Sequence, residues 1–431
     1  LRFHYHSFAR CQYIPGLVAA IWRYNSFIQQ LQPKGGTMAI DFLTEARALY
    51  DELVVTRRDL HMHPELGFQE VRTARIVAER LGALGYEVVT GIGKTGVVGL
   101  LAGEQSGTHT VLLRFDMDAL PIEEENDVPY RSQSPGVMHA CGHDGHVAIG
   151  LGVATLLARQ RAAFGGTIKL MFQPAEEGLG GARAMIADGV LEGPHVDTAL
   201  GLHVWSGFDT GTAVVRSGAL MAAADTFEIE VHGRGGHAAH PEQSVDAVLV
   251  AAQIVVALQT VVARNLSPTE AGVVTVGVLQ AGTAHNIIAE RARLRGSIRS
   301  FNEATRTLLH RRVAELAAGV AAAHGASAEV HIAGCVDPTV NAPAPTAAVY
   351  AAASAVLGAA AINTSYCTTG GEDFSAVLAQ VPGNFFFLGA RDDARGLSYP
   401  HHSPRFDFDE RCMPQGVAIL CDAALRCLAA E

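Results

Sequence analysis

Between His139 and His146 the chain reads His-Ala-Cys-Gly-His-Asp-Gly-His, with three histidines, one cysteine and one aspartate in eight residues. Thiolate, imidazole and carboxylate are the donors that hold zinc and related divalent ions, and ordinary loop composition rarely concentrates them so densely. Only Gly142 separates Cys141 from His143, so both can face one point only if the backbone bends sharply there, which glycine permits. The competing reading is a polar turn around a reduced thiol. We read the stretch as a metal-binding loop.

Further donors recur just past segments patterned as strands. Thr110 to Phe115 ends in Asp116-Met117-Asp118, Thr167 to Phe172 runs into Gln173-Pro174-Ala175-Glu176-Glu177, Thr198 to Leu202 stops at His203, and Asn384 to Leu388 is followed after a loop by His401-His402. In an open, mostly parallel sheet, ligands bind in the crevice beyond the carboxyl ends of the strands. One acidic turn at such an edge means little; four strands delivering donors to it point to a site. The donors outnumber what one ion needs, which implies two. Paired ions lower the pKa of a water and polarise a substrate carbonyl, and a nearby carboxylate then serves as general base. Glu176 and Glu177 suit that division, since adjacent side chains point in different directions, and spacing leaves open which ligates and which moves the proton.

Several elements must position these groups. Apolar periodicity predicts helices over 41–60, 70–84 and 147–158 and strands over 86–90 and 96–101, an α/β alternation. Residues 222–333 have a different texture: a strand over 225–232, a glycine turn at 233–237, a helix over 244–262 capped by Ser244, strands over 273–279 and 291–298, a helix over 302–324 and a strand over 328–332. That order is a ferredoxin-like unit inserted into the first domain, with 337–345 as the returning linker. The expected organisation is thus a mostly parallel-sheet catalytic domain from 38–221 and 334–431, with helices on both faces, and an inserted α+β domain at 222–333. Residues 1–37 lack a repeating pattern, and Met38 reads as the natural start. The first 37 residues are taken as a non-native or disordered extension.

Composition narrows the function. Over 431 residues the formal charge is -11, with 49% hydrophobic and 17% charged residues. Without clustered Lys and Arg, neither nucleic acid nor an anionic membrane is an expected partner. The seven cysteines are scattered, without a Cys-x-x-Cys pair, which suits a reducing, cytosolic setting. The apolar run Ala247 to Ala263 is short for a membrane span and reads as a buried helix.

The stretches Arg57 to Glu70, Asp116 to Pro121, His139 to His146, Gln173 to Gly178, Gly235 to Pro241, Thr369 to Phe374 and His402-Ser403-Pro404 together resemble the hippurate hydrolase and auxin-conjugate hydrolase group of the aminoacylase and carboxypeptidase clan of metallopeptidases. The resemblance runs in order from about Met38 to the C-terminus. It implies that Cys141 is shared between two divalent ions (Mn, Zn, Ni or Co), that His143, Glu177, His203 and His402 complete the ligands, and that Glu176 is the general base. Asp116 and Asp118 would orient the ligands, and His401 would be only a neighbour of His402. His237 would stabilise the oxyanion, often across a dimer interface. Asn286 and Arg299 would hold the substrate carboxylate, and Gly370 to Phe374 would line the pocket. The inserted domain would act as lid and dimerisation unit.

The expected activity is hydrolysis of N-acyl amino acids to a carboxylic acid and a free amino acid. Alternatives are deacetylation of N-acetyl-diaminopimelate or another N-acetyl metabolite, dipeptide cleavage, or a catalytically silent metal-binding assembly protein. A proton carrier such as Glu176 has no use in the last.

Overall fold

The protein is described by a computed structural model covering residues 40–430, so the reading of residues 1–37 lies outside the described residues. Four parallel strands, Gly165–Gln173, Gln105–Asp116, Thr198–Asp209 and Gly383–Arg391, lie side by side in that order within an eight-stranded sheet. Glu87–Ile92 and Gly96–Ala102 extend it by antiparallel pairing on one side; on the other Ala213–Val214 pairs antiparallel and Ile362–Asn363 pairs parallel to that short strand. These are the four strands expected to share one edge. Residues 110–116, 198–204 and 383–390 are buried without interruption, as a sheet covered on both faces requires.

Close packing on one face depends on missing side chains. A Cβ on Gly150 of the helix His143–Arg159 would come within 2.7 Å of Phe115, and one on Gly416 of the helix Met413–Leu428 within 3.0 Å of Leu388. On the other face Leu112, Met171, Phe385 and Phe387 pack with Met185 and Val377, from the short helices Gly181–Ala187 and Ser375–Leu378.

The second sheet is fully antiparallel, in the order Gly272–Ala281, Arg291–Ser300, Ala223–His232 and Ser327–Val336. The helices Ala247–Asn265 and Glu303–Ala323 share its core, where Ile254, Leu258, Leu309 and Val313 meet Phe227, Ile229 and Leu294. This is the expected ferredoxin-like order. The chain enters and leaves it through a paired ladder, Gly218–Met221 against Thr339–Asn341.

Four local expectations are corrected. The helix after the metal-binding loop starts at His143, four residues early, because left-handed Gly142 (φ 96°) already turns the chain into it. The strand ending in the expected His203 continues to Asp209, since the neighbouring Gly383–Arg391 strand keeps pairing past it. The cap of the long inserted helix is Asp246, whose carboxylate accepts from the N–H groups of Val248 and Leu249, while Ser244 lies before it. That helix is buried on one face only: Val250, Ile254 and Leu258 face the sheet, whereas Val248, Leu249 and Val256 are exposed. By length and composition it could cross a membrane, yet its inner face belongs to the second core.

Gly142 gives a direct test of this scaffold. A Cβ there would run into Cγ2 of Val204, and its backbone is left-handed. Gly142→Ala is expected to lower stability in urea unfolding by at least about 1–2 kcal/mol, the cost of that conformation for an L-residue before any clash. Unchanged unfolding would contradict the packing described here.

Candidate metal centre

Register places the site before any side chain is considered. Asp116 pairs with Gln173, Arg114 with Gly201, and Phe387 with His203, so Asp116, Gln173 and His203 stand at one level across adjacent strands. Cys141 and His143 approach that level from the turn opening the neighbouring helix. His402 approaches from a turn whose backbone is left-handed at φ 66°, and its N–H donates to the carbonyl of Ala140. A non-glycine residue in that conformation is costly unless its surroundings enforce it, and such residues gather at functional sites. Ala175, just before Glu176, has φ 54°.

Donor atoms converge in overlapping groups, each within 4.8 Å: Cys141 with His143 and His203, Cys141 with Glu177 and His402, and His143 with Glu176 and Glu177. Hydrogen bonds leave the correct nitrogens free. His143 donates through Nδ1 to the Asp118 carbonyl at 2.9 Å and carboxylate at 3.2 Å, and its buried Nε2 makes no hydrogen bond, with Asp116 Oδ2 3.4 Å away. His203 donates through Nδ1 to the Val204 carbonyl at 2.6 Å, leaving Nε2 3.4 Å from the Cys141 sulfur. An imidazole whose far nitrogen is tied to an oxygen is set in the tautomer that can bind a metal. Oε1 of Glu177 is likewise buried without a hydrogen bond, 3.2 Å from Nε2 of His402.

The neighbouring histidines differ. His146 donates through Nδ1 to Asp116 at 2.5 Å and accepts at Nε2 from the Val204 N–H at 2.9 Å, so both nitrogens are occupied. His401 accepts at Nε2 from Ser206 N–H, leaving its proton on Nδ1, 3.9 Å from the Cys141 sulfur. It can support the thiolate but offers no lone pair. Asp116 and Asp118 both touch His143, and Asp118 also accepts from the Glu177 N–H at 3.0 Å.

The electrostatics call for cations. Burial, with the Glu177 carboxylate, pushes the Cys141 thiol well above its ordinary pKa. Burial holds His203 well below its usual value, helped by His146 and His401. Burial, then Glu372 and Glu177, raises Glu176 well above the carboxylate range. A divalent ion reverses the thiol and carboxyl penalties by supplying the largest local charge, and it binds the neutral imidazole that burial already favours at His203. The donor set therefore fits divalent ions.

Two buried arginines, neither assigned a role from sequence, brace the donors. Arg57 bonds Asp144, beside His143, at 2.8 Å, and Asp407 and Glu410, beyond His402, at 2.8 and 3.3 Å. His61 shares Asp144 at 2.8 Å. Arg114 bonds Asp116 at 2.7 Å, Gln173 at 2.8 Å, Glu372 at 2.8 Å and Asp373 at 3.3 Å. Glu372 and Asp373 form a further close group with Glu176. The one signal of Arg114 in the sequence was a cation inside an apolar strand.

Of the expected substrate groups, two lie on an exposed turn and the third lies against the 370–374 loop. His237 is exposed, and Nδ1 of its ring accepts from the N–H of Ala239 in its own turn. Asn286, also exposed, accepts at its carbonyl from Ala238 N–H, so these two are brought together with each other and not with the metal donors. Arg299 is half-buried, with Nη1 3.5 Å from where a Cβ on Gly371 would lie, against the loop that carries Glu372.

The chain is similar to proteins of one known family. The model for peptidase family M20/M25/M40 matches residues 112–426. The chain is 40% identical to thermostable carboxypeptidase 1 of Saccharolobus solfataricus, over 86% of this chain and 94% of that protein. It is 42% identical to an N-acyl-L-amino acid amidohydrolase of Geobacillus stearothermophilus, over 69% of this chain and 81% of that one. A solved structure of the Bacillus subtilis YxeP protein, described as a dinuclear metal-binding peptidase of the M20 family, matches with a TM-score of 0.79 and 33% identity, over 89% of this chain and all of the other. The chain belongs to peptidase family M20/M25/M40.

Proposed function

We propose that the protein is a metal-dependent amidohydrolase that cleaves N-acyl amino acids to a carboxylic acid and a free amino acid. One observation carries this reading: Nε2 of His143 and Oε1 of Glu177, neither hydrogen-bonded, the sulfur of Cys141 and the rings of His203 and His402 converge beside a second carboxyl, the half-buried Glu176. Those five residues would hold two divalent ions, Mn, Zn, Ni or Co, and Cys141 is common to two of the donor groups. When bound, the ions supply Lewis acidity toward the substrate carbonyl and lower the pKa of the attacking water.

The chain's own residues do the rest. Glu176 takes a proton from the water as it attacks and returns it to the departing amine. Asp118 fixes His143 and Glu177 in place, and Asp116 fixes His146. Arg299 would pair with the substrate carboxylate as a planar fork. The amidohydrolase and carboxypeptidase relatives support a substrate built on an amino acid, and the carboxypeptidase favours peptides as the second reading.

Residues 38–221 and 334–431 would form the catalytic domain and 222–333 the lid. Exposed His237 and Asn286 would serve a partner's site in a homodimer joined through the inserted domain, with His237 stabilising the oxyanion. The six cysteines among the described residues, all unpaired, suit a reducing, cytosolic setting.

Metal-loaded protein should hydrolyse members of a panel of benzoyl-, acetyl- and indoleacetyl-amino acids and dipeptides. Glu176→Gln should keep its metal by elemental analysis and lose about 10²–10⁴-fold in kcat, the usual worth of a general base. Equal turnover by both proteins would remove Glu176 from the chemistry. Mixing Glu176→Gln with His237→Ala subunits should restore roughly a quarter of the wild-type rate, since half the dimers are mixed and each has one complete site. No recovery after subunit exchange would place His237 outside the partner's site.

A further inference from the structure

This inference rests on reading Glu176 as the general base and concerns the turn that carries it. Residues 65–70 lie against that turn and supply no donor to the groups around the metal centre. Ala175, just before Glu176, is buried and left-handed at φ 54°. An L-residue keeps that conformation only where its surroundings enforce it. Here both flanking peptides are pinned: the Ala175 N–H donates to Oε1 of Glu70 at 2.8 Å, and its carbonyl accepts from the Gly181 N–H at 3.0 Å. Gly67 closes in beside them, since a Cβ there would lie 3.1 Å from both Cα and Cβ of Ala175.

Glu70 is itself fully buried, and its Oε2 accepts from the Thr95 hydroxyl at 2.6 Å. Val97 pairs with Phe172 at the end of the antiparallel ladder between Gly96–Ala102 and Gly165–Gln173, so Thr95 and Ala175 lie just past its last pair. The Glu70 carboxyl thus bridges two chain segments where backbone pairing stops. Oε1 accepts from Ala175 in either protonation state, because the Thr95 hydroxyl can donate to Oε2 or accept from it. The foot of this strut is fixed too. Glu65 accepts from the Arg72 and Thr73 N–H groups at 2.9 and 2.8 Å, at the start of the helix Val71–Ala83, and its carbonyl accepts from the Ala119 N–H at 2.8 Å. Glu177 has a different support, its own N–H on Asp118 Oδ2 at 3.0 Å.

We propose that Glu70 is a positioning residue for Glu176: its carboxyl holds Ala175 in the left-handed conformation that sets the direction in which the Glu176 side chain leaves the turn. Holding a base in its reactive orientation shows in turnover more than in substrate binding.

Variants of the metal-loaded full chain test this. Glu70→Met keeps the side chain long and buried but leaves the Ala175 N–H without its acceptor. It should lower kcat by about tenfold or more with KM within about twofold and metal content unchanged, whereas Glu70→Gln, which retains an acceptor oxygen, should stay within about threefold of wild type. In a Glu176→Gln background, Glu70→Met should alter the residual kcat by less than about twofold. Equal losses in both backgrounds, equal losses in the two Glu70 variants, an unaltered kcat or loss of metal would overturn the proposal. Should Glu70→Met not fold, Thr95→Val, which frees Oε2 and loosens the strut, should lower kcat about threefold with Glu176 present and leave it unchanged in Glu176→Gln, and the same effect in both backgrounds, or none, overturns the proposal. Crystal structures give a readout that needs no turnover: Ala175 should be left-handed in wild type and Glu70→Gln and leave that region in the variant lacking the acceptor, and an unchanged φ there overturns the strut. If the wild type cleaves no amide on the panel, the functional reading falls while the backbone comparison still decides the positioning.

Discussion

The structure depends on compensating charge in a place that excludes water. Carboxylates and a thiol are expensive to bury, and a buried ion persists only when paired and hydrogen-bonded. This chain buries Asp116, Asp144, Glu372 and Asp373 around its donors, and offsets them with two buried guanidinium groups and, on the proposed reading, two cations. Arg57 ties the turn carrying Cys141 and His143 to the segment after His402. Arg114 ties the strand ending in Asp116 to the strand before Glu176 and to the 370–374 loop. Segments hundreds of residues apart are thereby held to tolerances that hydrophobic packing alone does not give.

The same constraint sorts the histidines. A ring with one nitrogen on a backbone carbonyl or carboxylate and the other empty is ready to ligate, as in His143 and His203. A ring with both nitrogens engaged is a strut, as in His146. Sequence density alone cannot make that distinction, because it is drawn by Val204 and Ser206 backbone groups on a strand far away in the chain. His139, buried beside His61 with neither nitrogen bonded and its pKa pulled by burial down to about 4, is a neutral ring of a third kind.

Much of this was legible from residue order. The parallel strands and the ferredoxin-like order followed from alternation and turn residues, and the gathering of donors at one sheet edge from the habit of ligands to sit at strand ends; the choice of Glu177 over Glu176 as ligand, and of His402 over His401, came only from the resemblance. What escaped was set by tertiary contacts. His203 lies within a longer strand because pairing with Gly383–Arg391 continues past it, and Asp246 caps a helix that Ser244 was expected to start. Arg57 and Arg114 escaped because a buried cation's meaning lies in partners up to 353 residues away. His237 and Asn286 were assigned by resemblance, and within one chain they lie on an exposed turn.

Anomalous diffraction from crystals grown with manganese or zinc tests the central claim most directly. The account predicts two peaks among Cys141, His143, Glu177, His203 and His402, with the Cys141 sulfur between them. A single peak away from these residues, or none in protein that hydrolyses its substrate, would contradict it.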